Sequence, residues 1–385
     1  MSSTDAARTG PSRPNFEFID GLRALAALSV AFFHAFLFTG LAGETTDAFG
    51  PLARIVLNGS FAVAIFIVLS GFVLMLPIAR RPGYELRDGL RGFAVRRARR
   101  ILPPYYASFL FFLVLILAVP FFRDPAGTRW AGKVPITVDG VLAHLVMVHN
   151  LDASWHDQVN GPLWSVATEV QIYVLMPLVL IPLWRRFGGI PVIALGVFFG
   201  WALHFIAPRF DGAHFWYIGL FAAGMLAAQE VTRGRRVPLA GPTAAVGAAL
   251  IAVVMIAFQY RLRPNEWLTE VGVGLVFALG LFALASASAE GRSNWVIRAL
   301  ESRTLVKIGL FSYSIYLFHS PLIGLSNLGL IHIDMPLAVR LAVMWLVITP
   351  AAVALSYIPH LLVERRFMTG HQKQELKTPE PSAVV

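Results

Sequence analysis

The chain has 385 residues, 57% of them hydrophobic and only 14% charged, so a soluble protein of this length could not hide its apolar surface and lipid must solvate much of it. Cysteine is absent, which excludes disulfides, thiolate catalysis and thiolate metal sites. The net charge of +10 reads as membrane orientation rather than as a nucleic-acid surface.

Residues 1–17 are polar and expected to be disordered, and no small-residue cleavage pattern follows the first apolar run, so that run is expected to remain as an anchor. Ten membrane spans can be drawn, at about 20–40, 58–78, 103–122, 162–184, 190–208, 214–231, 238–258, 270–289, 305–330 and 338–362. They predict an all-α, polytopic integral membrane protein. With the N-terminus inside, the cytoplasmic segments hold 22 of the 32 Lys and Arg, the outer segments 7, and the span ends the other 3 (Arg23, Lys307, Arg340). This asymmetry predicts N-in, C-in topology. The domain plan is a membrane domain over 18–365, with disordered cytoplasmic ends at 1–17 and 366–385.

The first span carries Arg23 and His34, eleven positions apart. At roughly 100° per residue they share nearly one face, about 16 Å apart along the axis. Ionisable groups in a hydrocarbon span face protein or a wet cavity, so the stripe is expected to line something. Segment 79–100 is the most basic part, ending in Arg96, Arg97, Arg99 and Arg100 just before Pro103 and the third span. It reads either as a loop at anionic headgroups or as a dock for a phosphorylated cytoplasmic donor, since Arg binds phosphate bidentately.

Residues 123–161 form the longest outer segment, in which the apolar run 141–148 can dip into the membrane but not cross it. In the fourth span, Glu169 falls about 10 Å below the outer surface and must be protonated or paired. It is either a structural group bonded to a neighbouring helix or part of a site. Trp164 suits the outer aromatic belt as well as a substrate. Spans five to eight are rich in small residues that allow close packing. Their His204, His214 and Glu270 lie near span ends and read as groups snorkelling to water. No internal repeat, phosphate loop or metal-ligand spacing is present, and no metal is expected. In the ninth span, His319 sits beside Pro321, whose missing N–H opens the local backbone, and either that opened backbone or a reaction accounts for the histidine.

Histidine without cysteine or metal suits acyl transfer to a hydroxyl, with the ring taking the hydroxyl proton and a carboxylate orienting it. By composition alone a transporter or flippase of a glycolipid or polysaccharide precursor fits equally, and an envelope-complex subunit is a third reading. Five linked stretches then resemble the membrane acyltransferase 3 family: 18–36 (FIDGLRALAALSVAFFHAF), 66–74 (FIVLSGFVL), 96–106 (RRARRILPPYY), 161–177 (GPLWSVATEVQIYVLMP) and 312–322 (SYSIYLFHSPL). They occur in the family's order over 18–365, with a mild departure at 166–171. The resemblance implies a ten-helix enzyme of the cytoplasmic (inner) membrane. It would move an acetyl or other short acyl group, usually from acyl-CoA, to a hydroxyl of a carbohydrate or glycosylated small molecule.

Carried over, His34 is the catalytic base, with Glu169 and His319 completing the site; Arg23, Arg97 and Arg100 assist donor binding. Tyr105 is a further donor-side candidate, and Asn160, Trp164 and Tyr173 are acceptor-side candidates. Acyl-CoA is expected as a substrate, with no tightly bound cofactor and no nucleic-acid partner. Some relatives carry a fused hydrolase-like domain that this sequence does not show, so a second step is expected to need another protein.

Overall fold

A computed structural model describes residues 16–237, 239–258 and 266–368. Every regular element among them is helical. The main helices are α1 (Phe18–Phe38), α2 (Phe61–Ala79), α3 (Gly89–Ala118), α4 (Val138–Leu145), α5 (Leu163–Phe187), α6 (Gly189–Ile206), α7 (Tyr217–Thr232), α8 (Ala240–Phe258), α9 (Glu266–Ala289), α10 (Arg303–Leu310), α11 (Ser312–Leu330) and α12 (Leu337–Phe367). The disorder expected over 1–17 and 366–385 lies outside the described residues except at 16–17 and 366–368, and Arg365–Phe367 is helical.

Among the described residues seven helices are long and apolar enough to cross a bilayer, and an eighth counts if α10 and α11, bent by 73° at Phe311, form one span. The expected spans at 214–231 and 238–258 are occupied by α7 and α8. The 16 residues of α7 rise only about 24 Å, less than a hydrocarbon core of about 30 Å. Large apolar side chains face outward along the bundle, as at Leu110, Phe111 and Val114 of α3 and Leu346 and Val347 of α12, which suits lipid rather than water.

The tightest crossing joins α2 and α7. A Cβ on Gly71 would collide with the Phe221 carbonyl, and one on Gly224 with that of Val68, so reciprocal glycines let the two backbones touch. The third helix departs from expectation. It begins at Gly89, not near Pro103, and runs 30 residues with Pro103 and Pro104 inside it. The Arg96–Arg100 group therefore lies on the helix and is sorted by its periodicity. Arg97 and Arg100 share one face, whereas Arg99 is exposed and the exposed Arg96 pairs with Asp88.

The segment 119–162 returns against the bundle. α4 lies beside α3, where Tyr105 and Tyr106 donate to the carbonyls of His144 and Leu145 at 2.9 and 2.7 Å. The short apolar run at 141–148 thus packs alongside the helices without crossing.

Candidate active site

α1 and α11 bring together the two histidines singled out by sequence. His319 Nε2 lies 3.0 Å from His34 Nδ1. Each ring is held by its own helix: His34 Nδ1 donates to the Val30 carbonyl at 3.0 Å and His319 Nδ1 to that of Ile315 at 2.9 Å. A carbonyl only accepts, so both neutral rings carry their proton on Nδ1. His34 Nδ1–H is therefore shared between Val30 and the Nε2 lone pair of His319. Nε2 of His34 keeps its lone pair and makes no hydrogen bond among the described residues. His319 is fully buried and His34 half-buried, so the pair offers one accessible basic nitrogen.

A narrow cavity of about 110 Å³ approaches this pair from the end of the bundle that carries the arginines. Asp20, Arg23, Arg97, Arg100, Glu169 and Glu364 supply its charged lining. Along α2 it runs from Leu74 to Val63, about 16 Å by helical rise. Phe66, Ser165 and Tyr316 close its far end. Ser165 and the Tyr316 hydroxyl share a hydrogen bond of 2.6 Å, and the Tyr316 ring centroid is 5.9 Å from that of His319. One aromatic ring thus stands between the cavity and the imidazole pair.

Inside the cavity, Arg23 donates to Asp20 at 3.1 Å one helical turn back. Glu169 accepts from Ser70 Oγ at 2.6 Å and from the Tyr173 hydroxyl, so the lone carboxylate is paired, as its depth requires. It groups with the arginines, however, and does not touch the His34 ring, which is held by the Val30 carbonyl and His319. Tyr173 lines the same cavity and so lies on the arginine side rather than with the far-end groups.

Two other candidates lie off the cavity. Tyr105 is fully buried, with its hydroxyl on the His144 carbonyl, and does not line it. Asn160 is also fully buried, and its Nδ2 donates to the Leu317 carbonyl at 2.8 Å and to Ser108 Oγ at 3.1 Å. Leu317 is four residues before Pro321, so its carbonyl is the one left without a helical N–H. Asn160 and Ser108, the latter donating at 2.8 Å, satisfy it. The backbone opened by Pro321 therefore holds the 119–162 segment rather than His319. Trp164 stays at the far end, stacked with His214 and His156 at centroid distances of 4.4 and 5.4 Å.

Sequence reasoning missed Glu364 and Tyr316. Glu364 enters the cavity from a π-helical turn over His360–Glu364, accepting from Ser314 Oγ at 2.6 Å and pairing with His360 Nδ1 at 2.9 Å. The available signal was a carboxylate at the end of an apolar span, overshadowed by Arg365 and Arg366. The snorkelling expected of Glu270 and His214 does not occur. Glu270 is only 1% exposed and accepts from His214 Nδ1, Trp216 Nε1 and the Tyr217 hydroxyl at 2.9, 2.6 and 2.9 Å. His204 pairs with Asp211 at 2.9 Å.

The chain is similar in sequence to several known proteins. A peptidoglycan O-acetyltransferase (OatA) of Listeria monocytogenes is 25% identical over 342 residues, covering 82% of this chain and 50% of that protein. A Bacillus subtilis protein named "Putative peptidoglycan O-acetyltransferase YrhL" is 27% identical over 331 residues, covering 80% of this chain and 49% of that protein. A Staphylococcus aureus protein named "Putative O-acetyltransferase" is 22% identical over 336 residues, covering 80% and 50%. The chain thus spans about half the length of the curated relatives it matches. No solved structure matches it. The acyltransferase domain model of the acyltransferase 3 family matches residues 16–361, a range that contains the histidine pair and most of the arginine-lined cavity; the chain belongs to that family.

Proposed function

We propose that the protein is a multi-pass O-acyltransferase of the cytoplasmic (inner) membrane, transferring an acetyl or other short acyl group from acyl-CoA to a hydroxyl of a glycan or glycoside. The observation that carries this reading is a slot with Arg23, Arg97 and Arg100 along it and an imidazole pair just beyond its other end. The arginines suit the phosphates of a CoA thioester. The pantetheine arm would enter the cavity while the nucleotide stays at the arginine end.

In this reading about ten spans cross the membrane, with both termini and the arginine end on the cytoplasmic side, as the Lys and Arg distribution favours. Tyr316 shifts to admit the thioester. His34 Nε2 then takes the acceptor proton as the hydroxyl oxygen attacks the carbonyl carbon. The tetrahedral species collapses with cleavage of the C–S bond, and the imidazolium returns its proton to the departing thiolate. His319 holds His34 in the competent tautomer throughout. The peptidoglycan O-acetyltransferases among its relatives favour a peptidoglycan-like acceptor over a glycosylated metabolite.

The test uses sealed lipid vesicles containing the purified protein, isotope-labelled acetyl-CoA and peptidoglycan glycan strands. Mass spectrometry is expected to find label in an ester on the strands. Strands that cross the vesicle membrane without label would make the protein a transporter instead.

A further inference from the structure

The segment between α3 and α5 closes the far end of the bundle beside the imidazole pair, and the mechanism above leaves its charged residues unused. Trp130 anchors it: the indole is fully buried, donates to the Phe122 carbonyl at 2.8 Å and packs where a Cβ on Gly324 would be. Three residues on, Lys133 is 5% exposed, and its Nζ lies 5.8 Å from the centroid of Phe38. The Phe38 ring is in turn 6.2 Å from that of His34. The Lys133 charge acts on both His34 and His319. Burial pushes its own ammonium below the usual lysine range.

Asp157 faces Lys133. A Cβ on Gly161 would collide with Lys133 Nζ and lie 3.0 Å from Asp157 Oδ1, so the missing side chain is what lets the two groups converge here. Their charges interact, but they close no ion pair among the described residues. His156 Nδ1 bonds Asp157 Oδ1 at 3.1 Å, and the His156 ring stacks on Trp164. A continuous polar and aromatic strip therefore leads from His34 through Lys133, Asp157 and His156 to Trp164.

An ammonium and a carboxylate held just beyond ion-pair distance suit one hydroxyl group between them. Its oxygen accepts from the lysine and its proton goes to the aspartate, at about 2.8 Å each. We propose that Lys133, Asp157 and His156 form the acceptor subsite, holding a pyranose by a hydroxyl adjacent to the one that is acylated. This rests on the O-acyltransferase reading and deepens it by naming the residues that select a sugar.

The test compares wild type with Lys133→Met, Asp157→Asn, Lys133→Arg and Gly161→Ala in lipid vesicles, with acetyl-CoA as donor and de-esterified peptidoglycan glycan strands as the probe. Lys133→Met and Asp157→Asn are each expected to raise the KM for strands about tenfold, equivalent to about 1.4 kcal/mol, with the KM for acetyl-CoA within about twofold of wild type. Lys133→Arg should recover most of the loss. Gly161→Ala keeps both charged groups but its methyl would push the Lys133 ammonium away from Asp157; it should raise the strand KM in the same way, with the melting temperature close to that of wild type because only the end of a flexible side chain has to move.

Variants that alter only the acetyl-CoA KM, or neither KM, would overturn the subsite. So would a wild type that hydrolyses acetyl-CoA but leaves the strands unmodified, although the acyltransferase reading would survive that result. A wild type that consumes no thioester at all would defeat the functional reading, and the subsite with it.

Discussion

Glu169 and Glu270 are both carboxylates set within the helical bundle, and their surroundings differ. Glu270 is enclosed by three donors from the segment leading into α7 and from α7 itself, and ties that region to α9. Glu169 accepts from Ser70 and Tyr173 yet borders open space shared with Arg23, Arg97 and Arg100. Hydrogen bonding is the condition for placing any carboxylate in a bundle, so it does not mark a site. What separates the two is the cavity beside Glu169 and the charges converging on it. The same contrast holds for imidazoles. His144 and His149 stack with ring centroids 3.7 Å apart, and both are fully buried. In the other pair His319 is equally buried, but His34 is only half-buried and its Nε2 has no hydrogen-bond partner among the described residues.

Substitutions can break or sharpen this contrast. The largest effect below is expected for His319→Ala, which removes the group sharing the His34 proton: turnover at saturating donor should fall about 100-fold or more, read by CoA release. Arg97→Ala and Arg100→Ala should each raise the acetyl-CoA KM roughly tenfold with little change in turnover at saturation, the cost of one charge-assisted contact. Glu270→Gln should lower stability by about 1 kcal/mol, seen as a lower melting temperature in lipid or detergent, and leave both KM values unchanged. Glu169→Gln should do the reverse, raising the donor KM about threefold with the melting temperature nearly unmoved, because it loosens the setting of Arg97. If the two glutamine variants behaved alike, the contrast would be lost.

Helical periodicity made part of this legible in advance. The placement of Arg23 and His34 on one stripe follows from their spacing, and the need to pair Glu169 follows from its depth. The joining of His34 to His319 came only from the order of motifs, since 285 residues separate the partners. Asn160 resembled a binding residue because its task is non-local: it satisfies a carbonyl freed by Pro321, which sequence does not connect to it. The start of α3 was misread because two prolines look like a helix boundary, whereas the helix continues through them and sorts the arginines into lining and exposed sets. Lys133 and Asp157 gave no signal at all, because irregular backbone has no period from which to read a direction.

The central claim is that the arginine-lined cavity and the imidazole pair serve one reaction, with donor binding at one end and proton transfer at the other. His34→Ala in lipid vesicles, assayed with labelled acetyl-CoA for both binding and turnover, tests it most directly. The account predicts a donor Kd within about twofold of wild type and turnover reduced at least 100-fold. Turnover that persists at the wild-type rate, with the variant folded and the donor bound, would contradict it.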